Sequence, residues 1–216
     1  MVDKSIEYWE ESWLNEDMNE LKGYLKGYFR RDHDLIKILR EHKLVKVCDA
    51  ACGFGAYSLL LASNGMDVSG FDIANSSIDI TKQLLGDYGV DTSNFIVSSI
   101  TDIKFEDECF DATIAHAVLD HLIMKDAKIA LKELIRITKK SGLIYISFDG
   151  FQKDDEEEAH DMLADGSFVY LEGSRKGMIF KYYRDEEILE LCSDRKIIYQ
   201  VTRNNGERVI ILQKDN

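Results

Sequence analysis

The spacing of apolar positions along the chain changes in a regular order, and that order predicts the elements. Trp9, Trp13, Leu14, Met18, Leu21, Leu25, Tyr28 and Phe29 recur at three or four residues, the period of one amphipathic helix or of two short ones. Leu35, Ile36, Ile38 and Leu39 repeat the pattern behind Asp32 or Asp34, either of which can cap a helix. The period then breaks. Leu44, Val45, Val47 and Cys48 run together, as expected of a strand buried on both faces of a parallel sheet. Gly53 and Gly55 interrupt it, residues 58–62 return at helical length, and Asn64 with Gly65 makes a stop. A strand from Val68 to Phe71 follows and finishes at Asp72.

The same alternation continues downstream. Asn75 or Ser76 can cap a helix through Ile78, Ile80, Leu84 and Leu85, and Phe95–Val97 and Phe110–Ala115 read as the next strands. Residues 125–138 are the clearest helix, with lysines in the last turn and Gly142 as its stop, before a strand over Leu143–Phe148. An acidic run at 153–158 follows. Ser167–Leu171 and Met178–Tyr183 then predict two strands around a turn, within an insertion of roughly 35 residues before a last helix at Ile188–Cys192. Ile197–Val201 and Val209–Leu212 flank Asn205-Gly206, a hairpin signal.

Chemistry enters at the first glycine turn. Glycines between strand and helix let backbone pass close to a ligand, and an acid at the tip of the next strand can accept hydrogen bonds from a ribose. Asp72 stands 17 residues after Gly55, close to the spacing of such a site. A dinucleotide fingerprint, GxGxxG, would need a third glycine where this chain has Ser58. DAACGFG, Asp49 to Gly55, resembles the DxGCGxG first motif of the class I S-adenosylmethionine-dependent methyltransferases. GFDIANSSI, Gly70 to Ile78, resembles their next strand with its ribose-binding acid, and Ala51 replaces the usual first glycine.

The resemblance runs in order through residues 44–214. It implies an α/β fold: a Rossmann-like, doubly wound, seven-stranded and mostly parallel sheet with an antiparallel C-terminal hairpin strand. The first 43 residues and the insertion are unmatched. The expectation is an N-terminal helical cap over 1–43, as resembling enzymes have, and a methyltransferase domain over 44–216 whose insertion at about 150–184, a long connection at the ligand-binding edge, is lid-like. The implied cofactor is S-adenosylmethionine, with S-adenosylhomocysteine as product, held by Asp49, Ala51, Cys52, Gly53, Gly55, Asp72 and Ile73. Ser99 and Ile100 stand where the family's second motif meets the adenine. His116 is expected beside the methyl group, and His116 or His121 is the candidate catalytic base. Tyr8, Trp9 and Trp13 of the cap, with Arg175, Tyr182 and Tyr183 of the insertion, are candidate walls of the acceptor pocket. The activity implied is in-line methyl transfer to a small-molecule acceptor. Rival readings are a non-catalytic cofactor-binding or interaction protein of the same fold, and a nicotinamide-dependent oxidoreductase, which Ser58 opposes.

Composition narrows the classes further. A chain of 216 residues suits one domain, and 45% hydrophobic with 31% charged residues excludes a disordered chain. No apolar run reaches the length of a bilayer. The N-terminus carries acids and tryptophans where a signal peptide needs an apolar core, so the expectation is a cytoplasmic monomer or homodimer without membrane attachment. A net charge of −13 opposes a nucleic-acid substrate. Cys48, Cys52, Cys109 and Cys192 lack paired CxxC spacing, so reduced thiols and no metal site are expected. Proline is absent, which removes the PP-containing tetrapeptide with which many amino-group methyltransferases of DNA and proteins hold their target.

Overall fold

Alternation along the buried strands decides the layering. In a computed structural model that describes every residue except Met1, Asn15, Asp32, Lys153 and Asn216, Val47 of β1 (Lys46–Ala50) joins one apolar core while Cys48 and Ala50 join another. Asp32, a candidate cap above, therefore lies outside the described residues. The same split recurs in β5 (Thr138–Phe148), where Leu143 and Tyr145 face one core and Ile144, Ile146 and Phe148 the other. Both faces are covered, which is why the strands read as nearly continuous apolar runs.

The main sheet adds β2 (Asp67–Asp72), β3 (Phe95–Val97), β4 (Phe110–Ala115), β9 (Lys196–Thr202) and β10 (Arg208–Gln213), in the order β3-β2-β1-β4-β5-β10-β9. β1 to β5 pair in parallel, and β10 runs antiparallel to both of its neighbours. One face carries α2 (Met18–Arg31), α3 (His33–Glu41), α4 (Ala56–Ser63) and α5 (Asn75–Asp87), while α6 (Met124–Ile137) and α7 (Asp185–Leu191) supply the other. No helix among the described residues is long and apolar enough to cross a membrane. The order reverses between β1 and β4, and open α/β sheets bind ligands outside the strand C-termini at that point.

Four local expectations need correction. β1 begins at Lys46, with Val45 half exposed, because the Asp111 carboxylate accepts from Val45 N at 3.0 Å and Lys46 N at 2.9 Å and turns the chain there. Helix α6 ends at Ile137, so Lys139 and Lys140 belong to β5, and Gly142 sits inside that strand. A Cβ on Gly142 would lie 2.6 Å from Asp111 O and 2.7 Å from Thr138 Cγ2, so the glycine serves close backbone approach. Neither Asn75 nor Ser76 caps α5 by its own side chain. Glu10 of α1 (Val2–Leu14) does so, accepting from Asn75 N at 2.7 Å and Ser76 N at 3.2 Å, which places an acid at the positive end of the helix. Lastly, the insertion holds three strands: β6 (His160–Met162), missing from the sequence reading, pairs with β7 (Phe168–Tyr170), and β7 with β8 (Ile179–Phe180).

Candidate active site

The turn after β1 is built on left-handed backbone. Ala51 (φ 54°), Gly53 (φ 54°) and Gly55 (φ 84°) fold residues 51–55 over the strand tip, with Gly55 N donating to Cys52 O at 2.8 Å. Asp72, at the end of β2, locks the turn. Its Oδ2 accepts from Gly53 N and its Oδ1 from Ala74 N, both at 3.0 Å. Gly53 O in turn accepts Ser77 Oγ at 2.6 Å and Thr81 Oγ1 at 2.7 Å. A Cβ on Gly53 would meet the Trp13 ring at 3.1 Å, so the cap helix lies directly on the glycine turn. A Cβ on Gly55 would meet Thr81 Cγ2 at 2.9 Å.

These groups line a cavity of about 590 Å³, within the usual range of small-molecule sites. The strand order β3-β2-β1-β4-β5 sets their sequence along the cavity: Asp72 and Ile73 at the end of β2 with Ser99 and Ile100 beyond β3, then Asp49, Cys52 and Gly53 at β1, then His116 and His121 beyond β4 and Asp149 beyond β5. Trp9 and Trp13 of α1 and Tyr28 of α2 cover it. Gly55 faces Thr81 instead and is not among the lining residues, so its role is the turn.

Buried carboxylates dominate the electrostatics. Asp49 is 2% exposed and accepts from Ser58 Oγ at 2.6 Å, and burial pushes its carboxyl up to about 6. Burial also raises Asp72, against the lowering effect of the Ala74 and Gly53 amides. Asp149 is raised by burial and then by the charge of Asp120. One oxygen or nitrogen from each of Asp120, His121 and Asp149 lies within 4.8 Å of the others.

The two histidines are each fixed through one ring nitrogen. His116 Nε2 lies 3.1 Å from Glu207 Oε1, so Nε2 donates to the carboxylate. Glu207 is 1% exposed and also accepts from Arg203 Nη1 at 3.0 Å, while the His116 ring lies 4.5 Å from that of Tyr57. His121 Nδ1 lies 3.1 Å from Ile179 O of β8, which leaves Nε2 as the acceptor, and the Trp9 ring meets His121 edge-on at 4.9 Å.

Four candidate pocket walls lie elsewhere. Arg175 pairs with Asp155 at 2.6 Å and Glu158 at 3.0 Å and stacks on Tyr170, bracing the insertion internally. Tyr183 is fully buried against Phe148, and Tyr182 lies under the Arg208 guanidinium at 4.7 Å. Tyr8 packs with Trp9 on the apolar cluster of Phe168, Tyr170, Met178 and Phe180. Conversely, sequence reasoning missed Tyr28 and Tyr57 as lining residues and Glu207 as the partner of His116. Tyr57, two positions past Gly55, stood close enough to the motif to be found. Glu207 follows the hairpin glycine and carries no local signal.

Residues 48–146 match the model of the methyltransferase domain family. By sequence over that stretch and by fold over most of its length, the chain is similar to the class I methyltransferases. Among solved structures it is similar to a SAM-dependent methyltransferase of Methanosarcina mazei, at 25% identity and TM-score 0.64 over 79% of this chain and 92% of that one. The fold also matches a protein of Pyrococcus horikoshii OT3, at 21% identity and TM-score 0.71 over 86% and 92% of the two chains. A demethylmenaquinone methyltransferase of Clavibacter sepedonicus is 30% identical over 101 residues, 47% of this chain and 40% of that protein. The chain thus spans about two fifths of the length of the curated relatives it matches first. The third-glycine position of a dinucleotide turn is taken here by Ser58, whose hydroxyl ties α4 to Asp49.

Proposed function

We propose that the protein transfers the methyl group of S-adenosylmethionine to a small-molecule acceptor, acting in the cytoplasm as a monomer or homodimer. The observation that carries this reading is one cavity whose lining runs from Asp72, Ile73, Ser99 and Ile100 to a polar group of His116, His121 and Asp149. When bound, the cofactor would supply a methyl group on a positively charged sulfur, an already activated leaving group. Asp72 would hold the ribose hydroxyls, Ile73 and the 98–101 loop the adenine, and Gly53 would let the chain approach closely. Asp49, ionised above about 6, would favour a cationic ligand.

The protein's main task is positioning, which can supply about 7–11 kcal/mol of the barrier. His116, held by Glu207, or His121, held by Ile179 O, can take a proton from an acceptor that must lose one. Residues 1–43 act as the cap and residues 150–184 as the lid. What supports those roles is the span of α1, from Trp13 on Gly53 to Trp9 on His121, and the seat of β8 beneath the same histidine.

Calorimetric titration with S-adenosylmethionine tests the reading, followed by a screen of small acceptors with labelled methyl donor. One site per chain is expected, with affinity lost about 100-fold in Asp72→Ala, since two charge-assisted hydrogen bonds are worth about 1.5 kcal/mol or more each. No binding, or preference for NADH, would overturn it.

A further inference from the structure

The acceptor end of the cavity contains a group of side chains that hydrogen bonding within the protein leaves incomplete. Asp120 is 1% exposed, its Oδ2 accepts from Asp149 N at 2.8 Å, and its Oδ1 is buried with no partner among the described residues. A buried carboxylate oxygen without a donor is costly, on the order of 1–3 kcal/mol. A second carboxylate makes the arrangement less favourable still, because an oxygen of Asp149 stands within 4.8 Å of one of Asp120. The third member, His121, presents Nε2 as an acceptor because Nδ1 donates to Ile179 O. One potential ligand atom from each of the three side chains lies within 4.8 Å of the others.

We propose that Asp120, His121 and Asp149 bind a divalent first-row cation at the acceptor end of the cavity. The donor set, two carboxylates and one neutral imidazole, suits Mn²⁺ or Zn²⁺, since imidazole favours the transition metals and oxygen donors favour the harder ions. Ligand atoms about a tetrahedral ion with bonds of about 2.1 Å stand about 3.4 Å apart, so these side chains, whose ligand atoms lie within 4.8 Å of one another, would close on the ion as it binds. Its support is already in place. The Nδ1–H to carbonyl bond fixes the imidazole tautomer and ring orientation, the outer-shell arrangement that metal-bound histidines use. The 119–121 turn is clamped from the insertion, with Lys181 N donating to Asp120 O at 2.7 Å and Tyr183 Oη donating to Leu119 O at 3.4 Å.

His121 and Asp149 line the cavity, so the ion would keep coordination positions open toward it. On the methyl-transfer reading, which this last step rests on, those positions would take an oxygen of the acceptor and favour its deprotonated form. Sequence spacing concealed the set. Asp120 and His121 are adjacent, Asp149 comes 28 residues after His121, and no pair has the spacing of a zinc motif.

Mn²⁺ titrated into the wild-type protein, followed by loss of the free-ion paramagnetic resonance signal, tests the site directly. The expected result is one ion per chain, displaced by Zn²⁺, with affinity at least tenfold weaker in both Asp149→Asn and His121→Gln. Circular dichroism establishes that each variant is folded, and the wild-type stoichiometry decides the matter if one is not. No binding of Mn²⁺ or Zn²⁺ at millimolar concentration, or binding that both folded variants retain, overturns the proposal. Calorimetry with S-adenosylmethionine on the same proteins separates the two readings. Lost cofactor binding with Mn²⁺ binding intact refutes methyl transfer alone, and the reverse refutes the cation site alone.

Discussion

At the nucleoside end of the cavity, the hydrogen bonds that fix the site join residues 2, 9, 19, 24 and 28 positions apart: Ala74 to Asp72, Ser58 to Asp49, Gly53 to Asp72, and Ser77 and Thr81 to Gly53. At the acceptor end they join residues 29, 58 and 91 apart: Asp149 to Asp120, His121 to Ile179, His116 to Glu207. The first end is a property of one strand–turn–helix–strand unit and the helix after it, and its geometry is set by local chain. The second exists only when the hairpin, the insertion and the cap have all docked. Long-range assembly leaves those segments free to differ between proteins that share the first end, which on the proposed reading is where acceptor choice is made.

Asp72→Ala is the sharpest way to break the local end, and the largest effect expected. Besides the roughly 100-fold loss of cofactor affinity, it removes the acceptor for Gly53 N and Ala74 N, so amide exchange should quicken through residues 51–56 and leave β9 and β10 unaffected. Equal quickening at both places would show that the two ends are one cooperative unit.

Gly53→Ala probes the seam where the cap meets the turn. A side chain at φ 54° carries strain of about 1–2 kcal/mol, and the new Cβ would crowd Trp13 at 3.1 Å. Reduced freedom of the unfolded chain offsets about 0.4–1 kcal/mol. A net loss of about 2 kcal/mol in denaturant unfolding is expected once crowding is added. Adding Trp13→Ala should relieve the crowding and leave the strain, so the two substitutions should be non-additive. Strict additivity would place Trp13 away from Gly53.

The pH dependence of binding separates Asp49 from its neighbours. Asp49 is anionic above about 6 and neutral below, so attraction for a sulfonium is present above that value and is lost as pH falls through it. Ionisation drops about tenfold between pH 7 and pH 5, and S-adenosylmethionine affinity should follow within that factor. S-adenosylhomocysteine, whose sulfur is uncharged, should show a much smaller change. Parallel profiles for the two would mean that another group, not Asp49, reads the charge.

This contrast also explains what could be read from the chain. β2, β3, β4 and the terminal hairpin were legible because each is a short apolar run closed by its own turn residues, and Asp72 because it ends such a run. Gly142 misled, since a glycine after a helix reads as a stop while here it answers to the Asp111 carbonyl, 31 positions away in sequence. Arg175, Tyr182 and Tyr183 misled for a related reason. Their residue types suit a pocket, yet Asp155, Arg208 and Phe148 engage them from packing that no local pattern encodes. Glu207 and Asp120 were invisible because the reason for their burial lies on other strands.

The smallest expected effect lies at the one place where the local end departs from its motif. Ala51 holds φ 54°, a conformation glycine adopts freely and an L-residue adopts at a cost of about 1–2 kcal/mol. Ala51→Gly removes that strain but frees the unfolded chain, which returns about 0.4–1 kcal/mol. The variant should therefore be more stable by roughly 0.5–1 kcal/mol in denaturant unfolding, with an unchanged slope. Alanine lines the cavity here, so its methyl also touches the space a cofactor would fill. If the glycine variant gains stability but binds S-adenosylmethionine more weakly, the strained alanine earns its place through contact with the ligand. If both improve, the turn tolerates the strain without return, because the Asp72 lock holds it in any case.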